Sequence, residues 1–193
     1  VTEVIAEVWD GRDLTGQVYR GVTFSDVDLT ETTSRGAVFE ECTFHEVELN
    51  ASRHTDSAFT SCRFTRCSFF QAQLTRCKLM GSRFERCRFG GFEVDGGDWS
   101  FVDLRGADLR QCTFRRVRLR EADLSGARLD GATVYGADLS GAALHEANLS
   151  RCDLRGSDLS ALDPLTAQLR GAVIDPDQAV LLATTLGLDV RPL

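Results

Sequence analysis

The residue types in this 193-residue chain that could do chemistry are seven cysteines, three histidines and a periodic set of aspartates. Cysteine and histidine at converging positions make a nucleophile with its base, or a metal centre. Here His45, His54 and His145 are scattered, while Cys42, Cys62, Cys67, Cys77, Cys87, Cys112 and Cys152 are all spaced by multiples of five. Neither set assembles a nucleophile with a base, and glycine signatures such as ADLSG lack the strand-to-helix turn of a phosphate loop. The sequence argues against an enzyme and predicts no metal and no cofactor. The aspartates are different: Asp103, Asp108, Asp123, Asp138, Asp153 and Asp158 recur in fives too. Carboxylates at a fixed pitch make a regular polyanion, and duplex DNA is one, with a charge per ~1.7 Å of axis.

A repeat positions these groups. From Leu104 to Leu159 a large apolar residue returns every fifth position, and two residues before each stands a small one, such as Ala107, Cys112 or Ala122. A period of five is neither that of a helix nor that of a strand. Residues two apart in extended backbone point the same way, so each pair faces inward and the remaining two residues turn a corner. The result is a coil that buries its inward pairs only by stacking on itself. The register runs back without insertion through Phe84, Phe64, Phe44 and Phe24 to Leu14, and Val4 and Trp9 keep phase, which suggests an irregular opening coil. Every cysteine falls on the small inward position, where it packs like alanine. Every one of the six aspartates falls just before a large inward residue, so its side chain faces outward.

If four repeats make one coil, residues twenty apart stack at ~4.8 Å. Cys42 then lies against Cys62, Cys67 against Cys87, Asp103 against Asp123, and Asp138 against Asp158. Bridging of the cysteine pairs is conceivable, but the odd count and the repeat-dictated positions favour free buried thiols. Ser34 and His54 occupy the large inward slot and are expected to form a hydrogen-bonded polar pair in the core. Phe92 stands in a small slot among Gly90, Gly91, Gly96 and Gly97, which predicts a local change of coil shape. Pro164 marks the end of regular coiling before a last repeat at Leu169. Then Asp175, Pro176 and Gln178 spell the N-cap, first turn and capping box of a helix that Gly187 ends. That helix is too short to stand alone. Its apolar residues Ala179, Val180, Leu182, Ala183 and Leu186 are expected partly to cover the end of the coil and partly to meet a second copy.

Repeats such as ADLRG, ADLSG and ANLSR resemble the pentapeptide-repeat family, over nearly the whole chain. The resemblance implies an all-β solenoid, a right-handed quadrilateral parallel β-helix with a short C-terminal α-helix. The expected parts are residues 1–13 as the opening coil, 14–172 as the β-helix and 173–193 as the capping and dimerisation segment. Uninterrupted coils, a Phe-rich first half and the closing GAVIDPDQAVLLATTLGLDV look like the mycobacterial fluoroquinolone-resistance branch of the family. That branch implies a homodimer formed through the C-terminal helix, acting on DNA gyrase as a mimic of duplex DNA.

Charge leaves alternatives open. Residues 1–50 carry eleven acids against three arginines; residues 51–92 reverse this with eight bases, Arg53 to Arg88, against Asp56 and Glu85. From Glu93 to Asp163 acids lead thirteen to nine, and the total is −7. An acidic total disfavours direct DNA binding, although the basic belt, with Arg63, Arg66, Arg83 and Arg86, keeps that reading in play. A scaffold with another protein partner or an antibiotic-immunity role is a further alternative, and so is the bland one, that the aspartates only solubilise the rod and cap its backbone. No apolar run approaches the ~20 residues of a membrane helix, and VTEVIAEVWD is unlike a signal peptide, so a cytoplasmic protein off the membrane is expected.

Overall fold

The computed structural model describes residues 2–191. Each five-residue unit places its inward pair in extended backbone and turns at the last residue, which adopts a left-handed conformation with φ of 54° at Glu41, 55° at Glu46 and 56° at Arg66. Four turns close a coil, so every partner in the ladder is twenty residues away and every pairing is parallel: Thr23 to Thr43, Phe44 to Phe64, Gln73 to Glu93. The coiling is regular from the start, because Glu3–Ile5 pairs in register with Thr23–Ser25.

One side carries the strands Glu3–Ile5, Thr23–Ser25, Thr43–His45, Arg63–Thr65 and Arg83–Glu85; a second carries six strands from Thr33–Arg35 to Thr133–Tyr135; a third carries Val18–Arg20, Val38–Glu40 and Ala58–Thr60. The remaining positions pair as single bridges, such as Asp103 to Asp123 and Asp138 to Asp158. The sequence explains where this happens. An aspartate before the large inward residue takes the backbone N–H two residues on, as Asp123 takes that of Ser125 at 3.0 Å, and this Asx turn draws the backbone out of strand geometry after one bridge.

The interior is a column of rings that gives way to leucine. Phe24, Phe44, Phe64 and Phe84 stack with centroids 4.9, 4.6 and 4.8 Å apart, while Tyr19, Phe39 and Phe59 form a second column at 5.0 and 4.7 Å. Above them Leu104 to Leu159 fill the coil, fully buried. Each such side chain contributes roughly 1.5–3 kcal/mol of burial. Ser34 and His54 sit among them as a polar pair: Ser34 Oγ is 2.7 Å from His54 Nδ1 and 2.9 Å from Ser57 Oγ.

At the midpoint the sizes swap. Gly97 holds a small slot with φ of 96°, and a Cβ there would lie 2.1 Å from the Cys77 carbonyl, so only glycine fits and Trp99 fills the large slot beside it. Phe92 fills a small slot between Ala72 and Cys112, with its ring 5.5 Å from Phe89 and 6.3 Å from Phe114. The wall opens beside it. On that side the ladder runs from Val8 to Arg88 and again from Asp108 to Gln168, but among the described residues nothing bridges Arg88 to Asp108. The bond from Phe69 N to the Arg88 carbonyl (2.8 Å) and that from Leu109 N to the Arg128 carbonyl (2.8 Å) have no counterpart at Phe89 N. The other three sides of the same two coils stay joined, through Arg83 and Asp103, Glu93 and Thr113, and Asp98 and Arg118. The inward Cys87 and Ala107 are half-buried here, whereas Cys67 below and Ala127 above are sealed.

The coil is interrupted at Asp163 and Pro164, where Thr166 N and Ala167 N both turn back to the Asp163 carbonyl, and the ladder then resumes at Gln168 and Val173. The helix Pro176–Thr185 follows, with its capping box complete: Gln178 N donates to Asp175 (3.0 Å) and Asp175 N donates to Gln178 Oε1 (2.9 Å). The Gln178 amide then donates 2.7 Å bonds to the carbonyls of Leu154 and Ser157, fastening the helix to the last coil.

Candidate functional site

All six aspartates singled out by sequence face outward, and all six serve the backbone. Each accepts the N–H two residues on, at distances from 2.9 Å (Asp158) to 3.4 Å (Asp108). Capping is therefore part of their role, as the bland reading held.

Their charges are not equally available. Asp103, Asp108 and Asp153 are each clamped by the arginine two residues on: Arg105, Arg110 and Arg155 donate at 2.7, 2.6 and 2.7 Å. These side-chain hydrogen bonds, and behind them the bound backbone N–H and the guanidinium charge, hold the three carboxyls below the usual range. Asp123 is reached from the neighbouring coil by Arg105 at 3.2 Å. Asp138 and Asp158 are different. Among the described residues no cation pairs with either, they stack one coil apart, and their other partners are the backbone of Ser140 and Ser160 and the Ser140 hydroxyl. Part of this division was legible in the chain: the acids clamped by the arginine two residues on read Asp-Leu-Arg and the other three Asp-Leu-Ser, of which only Asp123 is reached by an arginine of another coil.

Half of the basic belt is spent on acids one or two coils away. Arg66 pairs with Glu46 at 2.7 Å, Arg76 with Asp56 at 2.7 Å, Arg88 with Glu48 at 3.2 Å and Arg63 with Glu85 at 3.8 Å. Arg53, Lys78, Arg83 and Arg86 have no such partner among the described residues. Exposed pairs of this kind add little stability, but they flatten the positive field.

The interior offers no room for a substrate. The cavities along the leucine column and beside His54 are about 10 Å³ each, the space of one water at most. Among the described residues no three acids, cysteines or histidines converge as metal ligands, and no helix is long and apolar enough to cross a membrane.

The family model for pentapeptide repeats matches residues 100–134 and 124–160, in eight copies. Residues 100–160 of the chain are pentapeptide repeats. A model of the SV2A/B/C luminal domain matches residues 3–89. Over 65 residues the chain is 37% identical to the pentapeptide repeat protein MfpA of Mycolicibacterium smegmatis, a segment that is 34% of this chain and 31% of that one, so it spans about a third of that relative's length. Its fold follows that of QnrB1, a plasmid-mediated fluoroquinolone resistance protein: a trypsin-treated form aligns over 100% of both chains at a TM-score of 0.75 and 22% identity. The full-length form aligns over 96% of this chain and 100% of its own, at 0.70 and 21%.

At the closing end of the pentapeptide-repeat coil, the predicted dimer residues divide. Leu182 packs on the core and Ala183 is half-buried, while Ala179, Val180 and Leu186 face outward. Leu181, Leu188 and Val190 add to the outward set, and Val173 and Leu165 lie exposed on the preceding turn. The helix thus uses one side for the coil, through Gln178 and Leu182, and leaves the other uncovered.

Proposed function

We propose that this pentapeptide-repeat protein is a cytoplasmic homodimer of the fluoroquinolone-resistance type that binds DNA gyrase as a mimic of duplex DNA, inhibiting the enzyme, shielding it from fluoroquinolones, or both. No catalytic chemistry is involved. The observation that carries this reading is the stack of Asp138 and Asp158 on a straight-sided coil, two negative charges at the coil pitch that no salt bridge among the described residues holds, since Arg118, one coil below Asp138 in the same ladder, is paired with Asp98. Like charges at ~4.8 Å repel by only about 1 kcal/mol in water, so the fold tolerates the ladder. A groove built to receive phosphates at regular spacing can receive it instead. The uncovered helix face lies at the same end of the rod, so pairing two copies there brings two such stacks into one longer array. Similarity to MfpA and to the QnrB1 fold supports the same reading.

The test is a supercoiling assay with purified gyrase, with and without a fluoroquinolone. Asp138→Asn with Asp158→Asn keeps both Asx turns and removes both charges. Loss of the effect on gyrase with an unchanged thermal transition supports the mimic; undiminished inhibition rejects it.

A further inference from the structure

Two pairs of cysteines stack in neighbouring coils, Cys42 with Cys62 and Cys67 with Cys87, all four as free thiols. The pairs are built alike. In each the thiols donate to the carbonyls 23 residues earlier in the chain and two residues back: Cys62 to Phe39 and Thr60, Cys67 to Phe44 and Thr65, Cys87 to Phe64 and Glu85, at 3.4–3.6 Å. Within each pair the thiols stack in adjacent coils, and the partner thiol eases loss of the first proton and holds back the second. The Cys42 thiol is drawn down to about 7 and Cys67 is lowered, while the partner thiol and burial hold Cys62 and Cys87 up, so Cys67 is the first of its pair to ionise. The pairs differ in one respect, the wall. Cys42 and Cys62 are sealed, each 1% exposed, whereas Cys87 lines the cleft that opens where Arg88 and Asp108 fail to bridge. The cleft, also lined by Phe89, Gly90, Asp108, Arg110 and Gln111, measures about 520 Å³.

We propose that Cys67 and Cys87 form a redox-active dithiol, with Cys87 the entry point for exchange with small-molecule disulfides through the open wall. Cys87 passes its proton to the Cys67 thiolate beside it and attacks a disulfide R–S–S–R, forming Cys87–S–S–R and releasing R–S⁻, which takes that proton back from Cys67. Cys67, held against Cys87 by the coil stacking, then attacks the Cys87 sulfur, expels the second R–S⁻ and closes a Cys67–Cys87 disulfide; the proton Cys67 first released goes to that thiolate. The two cysteines lose two electrons and the small disulfide gains them as two thiols. Adjacent coils set the Cα atoms at the ~4.8 Å strand spacing, inside the range of a disulfide. A bond there ties the coil below the opening to the one beneath it.

The experiment treats the whole folded protein with oxidised glutathione, quenches exchange with acid, and only then unfolds the chain in an alkylating reagent to count and map the remaining thiols. The expected result is a loss of two of the seven thiols, with peptide mapping showing Cys67 joined to Cys87 and the Cys42 and Cys62 pair still reduced. In Cys67→Ala the exchange stops at a glutathione adduct on Cys87, and in Cys87→Ala the Cys67 thiol stays reduced. Alanine already fills many equivalent slots, so both variants keep the coil. Seven thiols surviving treatment overturns the proposal. So does oxidation of Cys42 and Cys62 at the same rate as Cys67 and Cys87, since general unfolding then explains the chemistry.

Discussion

Ser34 Oγ and His54 Nδ1 meet at 2.7 Å inside the core, and the other ring nitrogen of His54, Nε2, has no partner among the described residues. Burial drives the imidazole down to about 4 from an ordinary 6.5, so it is neutral in the fold and the unfolded chain binds the proton more readily. Stability is therefore full above pH 6.5 and falls as the pH drops from 6.5 towards 4, by about 3 kcal/mol across the window. His54→Leu should flatten that slope. Urea midpoints at pH 7.5 and 4.5 for the two proteins measure it, and an equal fall in both excludes His54 as its source.

The aspartates of the Asx turns separate capping from charge. Asp123→Ala removes the acceptor for Ser125 N and should cost about 1 kcal/mol, whereas Asp123→Asn keeps the acceptor and should cost little. Thermal unfolding of the pair settles the ranking; equal losses mean that the charge and its contact with Arg105, not the cap, holds this corner.

The opening beside Phe92 predicts an inverted packing result. Removing a ring from a core usually costs about 3–5 kcal/mol, and Phe44→Ala, an inner ring of the Phe24 to Phe84 stack, should cost that much. Phe92→Ala should cost clearly less, because the wall can close and recover ladder bonds. Hydrogen exchange at Phe89 and Asp108 reads this directly. These amides should exchange fast in the parent protein and slow down in the variant; protection equal to that of Phe69 in the parent means that the wall is already shut.

Most of the fold was legible because the repeat gives every fifth residue the same environment: Leu104, Leu109 and Phe114 each announce the inward slot without help from a distant partner. The candidate site was legible only in part. Orientation of the six aspartates follows from the register, but the charge left on each depends on a side chain two residues away or one coil away, as Arg105 shows by holding both Asp103 and Asp123. Phe92 signalled a change of coil shape; that it opens one wall and leaves three joined depends on where its ring lies between Ala72 and Cys112. The basic belt looked like a surface for nucleic acid because Glu46 and Glu48, its partners, stand about twenty and forty residues away in sequence.

The helix gives the last prediction, since its two sides have different work. Leu182 is packed on the core, so Leu182→Asp sets a charge against the last coil and should release the helix, an effect on folding as much as on assembly. Val180 and Leu186 are 47% and 49% exposed, and a charge there meets water in a single copy but an apolar partner in a pair. Val180→Asp with Leu186→Asp should therefore leave the thermal transition of the coil unchanged at low protein concentration while halving the mass seen by light scattering at high concentration. Gln178→Leu removes the bonds to the Leu154 and Ser157 carbonyls, stranding both, and should weaken helix docking by about 1–3 kcal/mol and assembly with it. A parent protein that scatters as a monomer, or a Val180 and Leu186 double variant that scatters as a dimer, removes the uncovered face of the helix from the account of assembly.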